Sequence, residues 1–363
     1  MKYFPYYIIV LLLMFTSCKD DVELDSINSP AKLVVYCLPT EGDSCLINVS
    51  ASVPVVKYSS SANLRHIDNA NIDYRVNGTP LNVESLGNGC YMVRGRQKAG
   101  DKVSISVAAD GYTAVSASTT IPTAVDVRDI EVRPVKIYDS EWEDFDDFNQ
   151  VSATFTDDAG THDYYAVRVM ETIYSFYGTV TLKHSSHPRD LEYREYRSFA
   201  SYREYMDYID RYKDSLVDCS MEFTKNVSYL PINTKSEDLL QPTSDLDDDF
   251  GFSNDYYQDF YIFDDTSING RTYKLHLNID VNQLSYFNNT TYYVELYRLT
   301  PEYYRFIKSF NDVDNNDMKD IGISQIAPTR TDITNGIGLM GGWASARTKE
   351  ILMFSEDEDI NLD

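Results

Sequence analysis

Few side chains in this sequence stand where covalent or metal chemistry could start. Cys18 follows Thr16-Ser17 and the apolar run Ile8–Phe15, the order of a lipobox, in which a leader is cut before a cysteine that carries acyl chains. Cys18 is therefore read as a lipidation site, each buried acyl methylene holding the membrane by about 0.8 kcal/mol. Cys37, Cys45, Cys90 and Cys219 remain, an even number that permits disulfides. No CxxC pair occurs, so neither a thiol redox centre nor a zinc ribbon is expected. His184 and His187 form the one close histidine pair, in the loop-like stretch Ser185-Ser186-His187-Pro188 and without a helical HExxH frame, so no metal site is assigned to them. Asp312, Asp314, Asn316 and Asp320 are spaced like part of a calcium loop but lack its central Gly and closing Glu, and a solvated loop is expected there. Carboxylates are abundant enough to supply the acid pair of a glycosidase, yet spacing selects no pair. No catalytic residue, metal ligand or cofactor is assigned, and an enzyme is not expected.

The composition narrows the class. A formal net charge of -25 sets nucleic acid aside as a partner, because its phosphates would be repelled. The leader's apolar run has about half the roughly 20 residues that span a bilayer, and no later stretch is more apolar. Residues 1–17 thus read as a lipoprotein signal peptide and 18–30 as a lipidated tether. Thirty tyrosines favour strands, and tyrosine also lines sugar- and peptide-binding surfaces.

The elements that would position any site are mostly strands. Lys32–Cys37 and Ser44–Val49 flank turn chemistry at Glu41-Gly42-Asp43. Period-two alternation points Cys37 and Cys45 toward one apolar face, as a cross-hairpin disulfide or as two buried thiols. Ile72–Val76 and Thr79–Val83 flank Asn77-Gly78, a hairpin signal because both central residues need positive φ. Val103, Ile105 and Val107 alternate inward, and further strands are read at 90–93 and 112–120. These short strands predict an Ig-like antiparallel β-sandwich over 31–122. A second β-rich, sandwich-like domain is expected over 123–354, with a partly helical insertion at about 181–248 and an acidic tail at 355–363.

Within the second unit, Trp142–Phe148 alternates acids with aromatics and reads as a solvated linker. Asp157-Asp158-Ala159-Gly160 is a turn between strands at 151–156 and 164–173. Leu191–Tyr212 reads as an amphipathic helix with Tyr193, Tyr196, Phe199, Met206 and Ile209 on one face. That face either packs on a sheet or, with Tyr193, Tyr196, Phe199 and Tyr202, forms a partner or ligand surface. Strands at 260–263, 271–279 and 291–299 follow, His276 lying opposite the apolar parity of Tyr273, Leu275, Leu277 and Ile279. Thr300-Pro301-Glu302 starts a helix, with Thr300 as N-cap. The glycines of Asn335–Trp343 suit close strand packing rather than a GxGxxG loop.

Two resemblances add to this reading. Lys19-Asp20-Asp21 after the lipidated cysteine resembles the lipoprotein export signal of Bacteroidota, which implies an outer-membrane address facing the cell exterior. The succession of the lipobox, the Lys32–Cys37 strand, Phe263-Asp264-Asp265 through Asn269-Gly270-Arg271, Leu299–Phe306 and Asn335–Gly341 resembles the family called domain of unknown function 4249. It spans most of the mature chain but not residues 181–248, and the region near Ile321–Pro328 lacks the family's Pro-Phe pair. That family has no established activity, and the resemblance implies a helper role in capture or uptake beside a TonB-dependent transporter. The address, the Tyr-rich insertion and the lack of catalytic groups lead to the expectation of a non-catalytic surface lipoprotein, an accessory or ligand-binding partner of such a transporter in nutrient capture, with a glycan or peptide as ligand. An adhesin or structural cell-surface protein is the alternative, and a surface hydrolase the least favoured reading. Asp25-Ser26-Ile27 and Asp214-Ser215-Leu216 resemble Bacteroidota O-glycosylation acceptors.

Overall fold

The computed structural model describes residues 30–53, 65–139, 143–183, 192–199, 202–234, 237–240, 260–284, 290–314 and 330–353. Cys18, Lys19, Asp20 and Asp21, the His184/His187 pair, the Ile321–Pro328 region and the acidic tail lie outside the described residues, as do the side chains of Tyr193, Tyr196, Tyr202 and Cys219.

In chain order the first strands are β1 (Leu33–Cys37), β2 (Gly42–Ala51), β3 (Arg65–His66), β4 (Asn71–Val76), β5 (Thr79–Pro80), β6 (Asn82–Gly87), β7 (Cys90–Gln97), β8 (Lys102–Ala108) and β9 (Val115–Thr120). Then come β10 (Arg128–Asp139), β11 (Asp144–Thr156), β12 (Tyr164–Lys183), β13 (Glu192–Phe199), helix α1 (Tyr202–Tyr212) and β14 (Leu216–Leu230). The last described elements are β15 (Tyr261–Asp264), β16 (Thr272–Asp280), β17 (Thr290–Leu299), helix α2 (Pro301–Asp314), β18 (Ile337–Met340) and β19 (Trp343–Arg347). Among the described residues no helix is long and apolar enough to cross a membrane.

Alternation builds the first sandwich. Leu33, Val35 and Cys37 of β1, Cys45, Ile47 and Val49 of β2, and Val103, Ile105 and Val107 of β8 all turn inward and are buried. One sheet runs β18-β1-β2-β7-β6 and the other β5-β4-β8-β9, with a single apolar core between them. Full burial of each large aliphatic side chain there contributes about 1.5–3 kcal/mol. Asn77 and Gly78 adopt the expected positive φ, 50° and 82°. The return strand is shorter than expected. Only Thr79 and Pro80 pair with β4, and the chain then crosses to the other sheet as β6. Pro80 has no N–H to extend the ladder. Leu81 at the crossing packs against Gly95, where an added Cβ would meet its side chain at 2.8 Å.

The sheet is completed from the far end of the chain. β18 lies parallel against β1, Val35 opposite Gly338 and Cys37 opposite Met340. Its backbone comes so close that a Cβ on Gly338, at φ 120°, would sit 2.0 Å from the Val35 carbonyl oxygen. Two residues after β18 the chain enters β19, the edge partner of β17 in the second unit. The same strip therefore belongs to both sandwiches. Gly341 N–H bonds Cys37 O, Trp343 N–H bonds Pro39 O, and Thr300 N–H bonds Gly342 O.

The second sandwich packs sheet β10-β11-β16 against a sheet centred on β12. Val151, Ala153, Phe155, Leu275, Leu277 and Ile279 of the first meet Tyr165, Val167, Val169, Val294 and Leu296 of the second. The outer face of the β12 sheet is covered by α2, where Ile307 packs with Ala166, Tyr297 and Leu299. Thr300 does not cap α2 with its hydroxyl, which is buried without a hydrogen-bond partner. Its methyl lies on the side of Gly342, where an added Cβ would meet it at 3.2 Å, and its carbonyl accepts Tyr304 N–H.

Two further readings are corrected. The acid–aromatic stretch is not a linker: β10 and β11 form a hairpin through it, with Asp139 opposite Asp144 and Tyr138 opposite Phe145. The rings of Tyr138 and Phe145 meet edge to face at 5.2 Å. Residues 191–212 are not one helix. β13 pairs with β12 as far as Phe176↔Phe199, and α1 starts only at Tyr202. The spacing of Tyr193, Tyr196 and Phe199 satisfies a helical stripe, but the unsatisfied edge of the long β12 supplies backbone partners that override it. β12, β13 and β14 make an arm under α1, with Val180, Phe199 and Tyr208 as its own small core. Phe199 thus packs inward and is no surface contact residue.

Gly338→Ala is expected to cost about 3 kcal/mol or more, since the methyl meets a carbonyl in a left-handed backbone. Gly78→Ala, where only the positive φ of 82° opposes the methyl, is expected to cost about 1 kcal/mol. Urea unfolding of the two variants separates these outcomes.

Candidate functional site

Three aspartates converge where two turns meet at one end of the second sandwich. Asp157 follows β11, Asp163 precedes β12, and Asp265 follows β15. They are 3%, 7% and 0% exposed. Each offers one oxygen, and these oxygens all lie within 4.8 Å of one another. Turn geometry brings them together. Gly270, at φ 70°, passes so close to Ala159 that an added Cβ would lie 2.6 Å from the Ala159 Cβ. Asp157 N–H bonds Arg271 O, and Asp265 N–H bonds Asp163 O.

Most of the carboxylate oxygens are engaged by the turns. Asp157 Oδ1 accepts the Tyr165 hydroxyl at 2.5 Å and its Oδ2 accepts Gly270 N–H at 2.7 Å. Asp265 Oδ2 accepts Asp163 N–H at 2.8 Å and Asn269 Nδ2 at 3.1 Å. Arg298 grips Asp163 through Nε at 3.1 Å and Nη2 at 2.5 Å, and reaches Asp158 through Nη1 at 3.0 Å. Burial pulls the Arg298 pKa down, but its bonds to Asp163 and Asp158 raise it past its ordinary value. Burial and the bond to Asp157 push the Tyr165 phenol up, so it stays a hydrogen-bond donor. Asp265 Oδ1 is the exception. It is buried and accepts no well-formed hydrogen bond, although His162 Nδ1 lies against it, a contact that is an ion pair only when the imidazole is protonated.

Chemically the trio can fasten turns or hold a cation. Burial of all three keeps a substrate from being placed between them as a hydrolytic acid pair requires. In the sequence, Asp157-Asp158-Ala159-Gly160 and Asp264–Gly270 read as two separate turns. The signal for their convergence is that each turn opens on acids, with Asp157 and Asp265 among them, and ends on a glycine, Gly160 and Gly270. Asp163, one residue before β12, and Arg298, one residue before the end of β17, carry no signal at all.

The other candidates from the sequence fall elsewhere in the fold. Cys37 and Cys45 do share the apolar face, but as free thiols with sulfurs 3.7 Å apart. Cys37 stands opposite Ile47 rather than Cys45, so the two are diagonal neighbours, where Cβ atoms lie farther apart than a disulfide spans. The Cys45 contact and burial push the Cys37 thiol up. His276 is half-exposed, with Nδ1 3.9 Å from the buried Glu237, whose carboxylate accepts His276 N–H and the Tyr273 hydroxyl. A polar groove of about 810 Å³ runs between β8, β9 and the start of α2, lined by Lys102, Ser104, Ser118, Thr120 and Glu302. It adjoins a second hollow of about 600 Å³ reaching Arg75, Ser116 and Asp332.

A family model described as a domain of unknown function (DUF4249) matches residues 19–349. No curated protein matches the chain.

Arg298→Met leaves the buried Asp163 carboxylate without its cation and is expected to cost about 3–5 kcal/mol, whereas removing the exposed partner in Asp158→Asn is expected to cost at most about 1 kcal/mol. Urea midpoints measured in chelator check both. Burial also raises the Asp332 carboxyl above its ordinary range, against the opposing Met340 N–H. A carboxyl raised in the fold contributes stability below its unfolded pKa and loses it as pH rises through the folded value. Asp332→Asn keeps an acceptor for Met340 and is expected to raise the melting midpoint at pH ~7 more than at pH ~3.

Proposed function

The chain belongs to the DUF4249 family, and from that premise we propose that it is a non-catalytic lipoprotein of the outer membrane, facing the cell exterior, that captures a nutrient for a TonB-dependent transporter. The observation that carries this reading is an order of residues. An apolar leader, Thr16-Ser17-Cys18 and Lys19-Asp20-Asp21 follow one another, and the family match begins at residue 19, directly after the cysteine. Acyl chains on Cys18 hold the tether, and the acids behind it supply the surface address. The two sandwiches then form the body that meets ligand and transporter.

The groove beside α2 is the ligand site in this reading. Its hydroxyls, amine and carboxylate offer donors and acceptors to a polar ligand such as a glycan or a peptide. It lies where the sandwiches join, a common place for ligand sites.

Lipid incorporation into the protein is expected to vanish in Cys18→Ala. Protease added to intact cells is expected to digest the wild type and spare a variant with Asp20 and Asp21 replaced by alanine. A transporter is expected to co-purify from detergent-solubilised outer membranes, and glycan or peptide arrays to show binding that Ser118→Trp blocks. Unlabelled wild type, or no transporter together with blank arrays, would overturn the reading.

A further inference from the structure

We infer that Asp157, Asp163 and Asp265 hold one divalent cation of the calcium class, which joins the 157–163 turn to the 265–271 turn. Three independent features point to an ion. The first is distance. Oxygens that share a calcium at about 2.3–2.6 Å are separated by at most about 5 Å, and the three carboxylate oxygens lie within 4.8 Å of one another.

The second is an acceptor left over. Asp265 is wholly buried, every other oxygen of the trio receives a hydrogen bond, and Asp265 Oδ1 receives none. The half-exposed His162 ring, whose Nδ1 lies against Oδ1, can turn toward solvent as a cation takes that oxygen.

The third is charge. Three carboxylates are buried against the single guanidinium of Arg298, which hydrogen-bonds Asp163, Asp158 and Thr161 but neither Asp157 nor Asp265. Each uncompensated buried charge is expensive, and the excess matches a divalent ion. The donor set selects among metals. All-oxygen ligands suit calcium, whereas magnesium demands near-ideal octahedral geometry and zinc prefers nitrogen and sulfur. Arg298 stays in place, because Asp163 Oδ1 accepts only its Nε–H and keeps a second lone pair for the ion, while Oδ2 is taken by Arg298 Nη2 and the Thr161 hydroxyl.

The test uses the mature lipoprotein in detergent, stripped with chelator and titrated with calcium chloride by calorimetry, alongside melting curves. One ion per chain is expected to bind with an affinity in or above the millimolar range of extracellular sites. In about 1 mM calcium the melting midpoint is expected to rise by several degrees, and EGTA to reverse the rise. Asp265→Asn is expected to weaken binding more than ~10-fold, and His162→Gln to keep the calcium response. If Asp265→Asn does not fold, the wild-type titration and the His162→Gln melting curves still decide. No calcium heat, with identical melting in calcium and EGTA, overturns the proposal. So does a calcium response that survives in folded Asp265→Asn.

Discussion

The architecture depends on one close approach, that of Gly338 to the Val35 carbonyl. Only a residue without a side chain lets β18 lie this near β1, and only then does the strip 331–343 fit between the sandwiches. Consequences follow in both directions. Toward the first sandwich, Asp332 Oδ1 accepts Met340 N–H and the Thr331 hydroxyl donates to Gly338 O, so the strip locks its own entry turn. Toward the second, Gly342 O receives Thr300 N–H, which fixes the start of α2, and β19 closes the edge of β17. The ring of Tyr36 on β1 meets Phe306 of α2 at 5.9 Å, so the helix that covers one sandwich touches the other.

How much of this is legible in the sequence depends on whether the partner of a residue is near in the chain. The inward parity of β1, β2, β8 and β16 is a local property, and the described structure has it. The Asn77-Gly78 turn and the Pro301 helix start are local too. The glycines of β18 announce close packing, but nothing near them names β1 as the neighbour, because a parallel pairing has no connecting turn to read. β13 misleads for a related reason. The repeat Glu192-Tyr193-Arg194-Glu195-Tyr196-Arg197 fits a three-residue helical stripe, and its assignment as strand comes from the exposed ladder of β12. Thr300 has the sequence of a cap, yet packing under Gly342 decides its rotamer.

The carboxylate trio shows the same limit in chemical form. In a chain with 57 acidic residues, three acids destined for burial do not stand out. What distinguishes them is company: a tyrosine hydroxyl, an arginine fork and two turn amides, drawn from three separate stretches of chain. Several of the segments that carry the family resemblance fall on the joints described above. Phe263–Arg271 forms one turn of the trio, Leu299–Phe306 the start of α2, and Asn335–Gly341 most of the strip. β13, α1 and β14, which none of those motif segments includes, form the arm with the end of β12 and give it a separate core.

The parallel pairing of β1 with β18 also sets an order of events for the growing chain. About 300 residues separate Val34 from Ile337, so β1 waits for a strand made long after it before its sheet is closed. Until then one edge of β1 presents open backbone donors and acceptors, the kind of edge that pairs with other chains. Two sandwiches that follow one another in sequence are, kinetically, a ring closed by a late link.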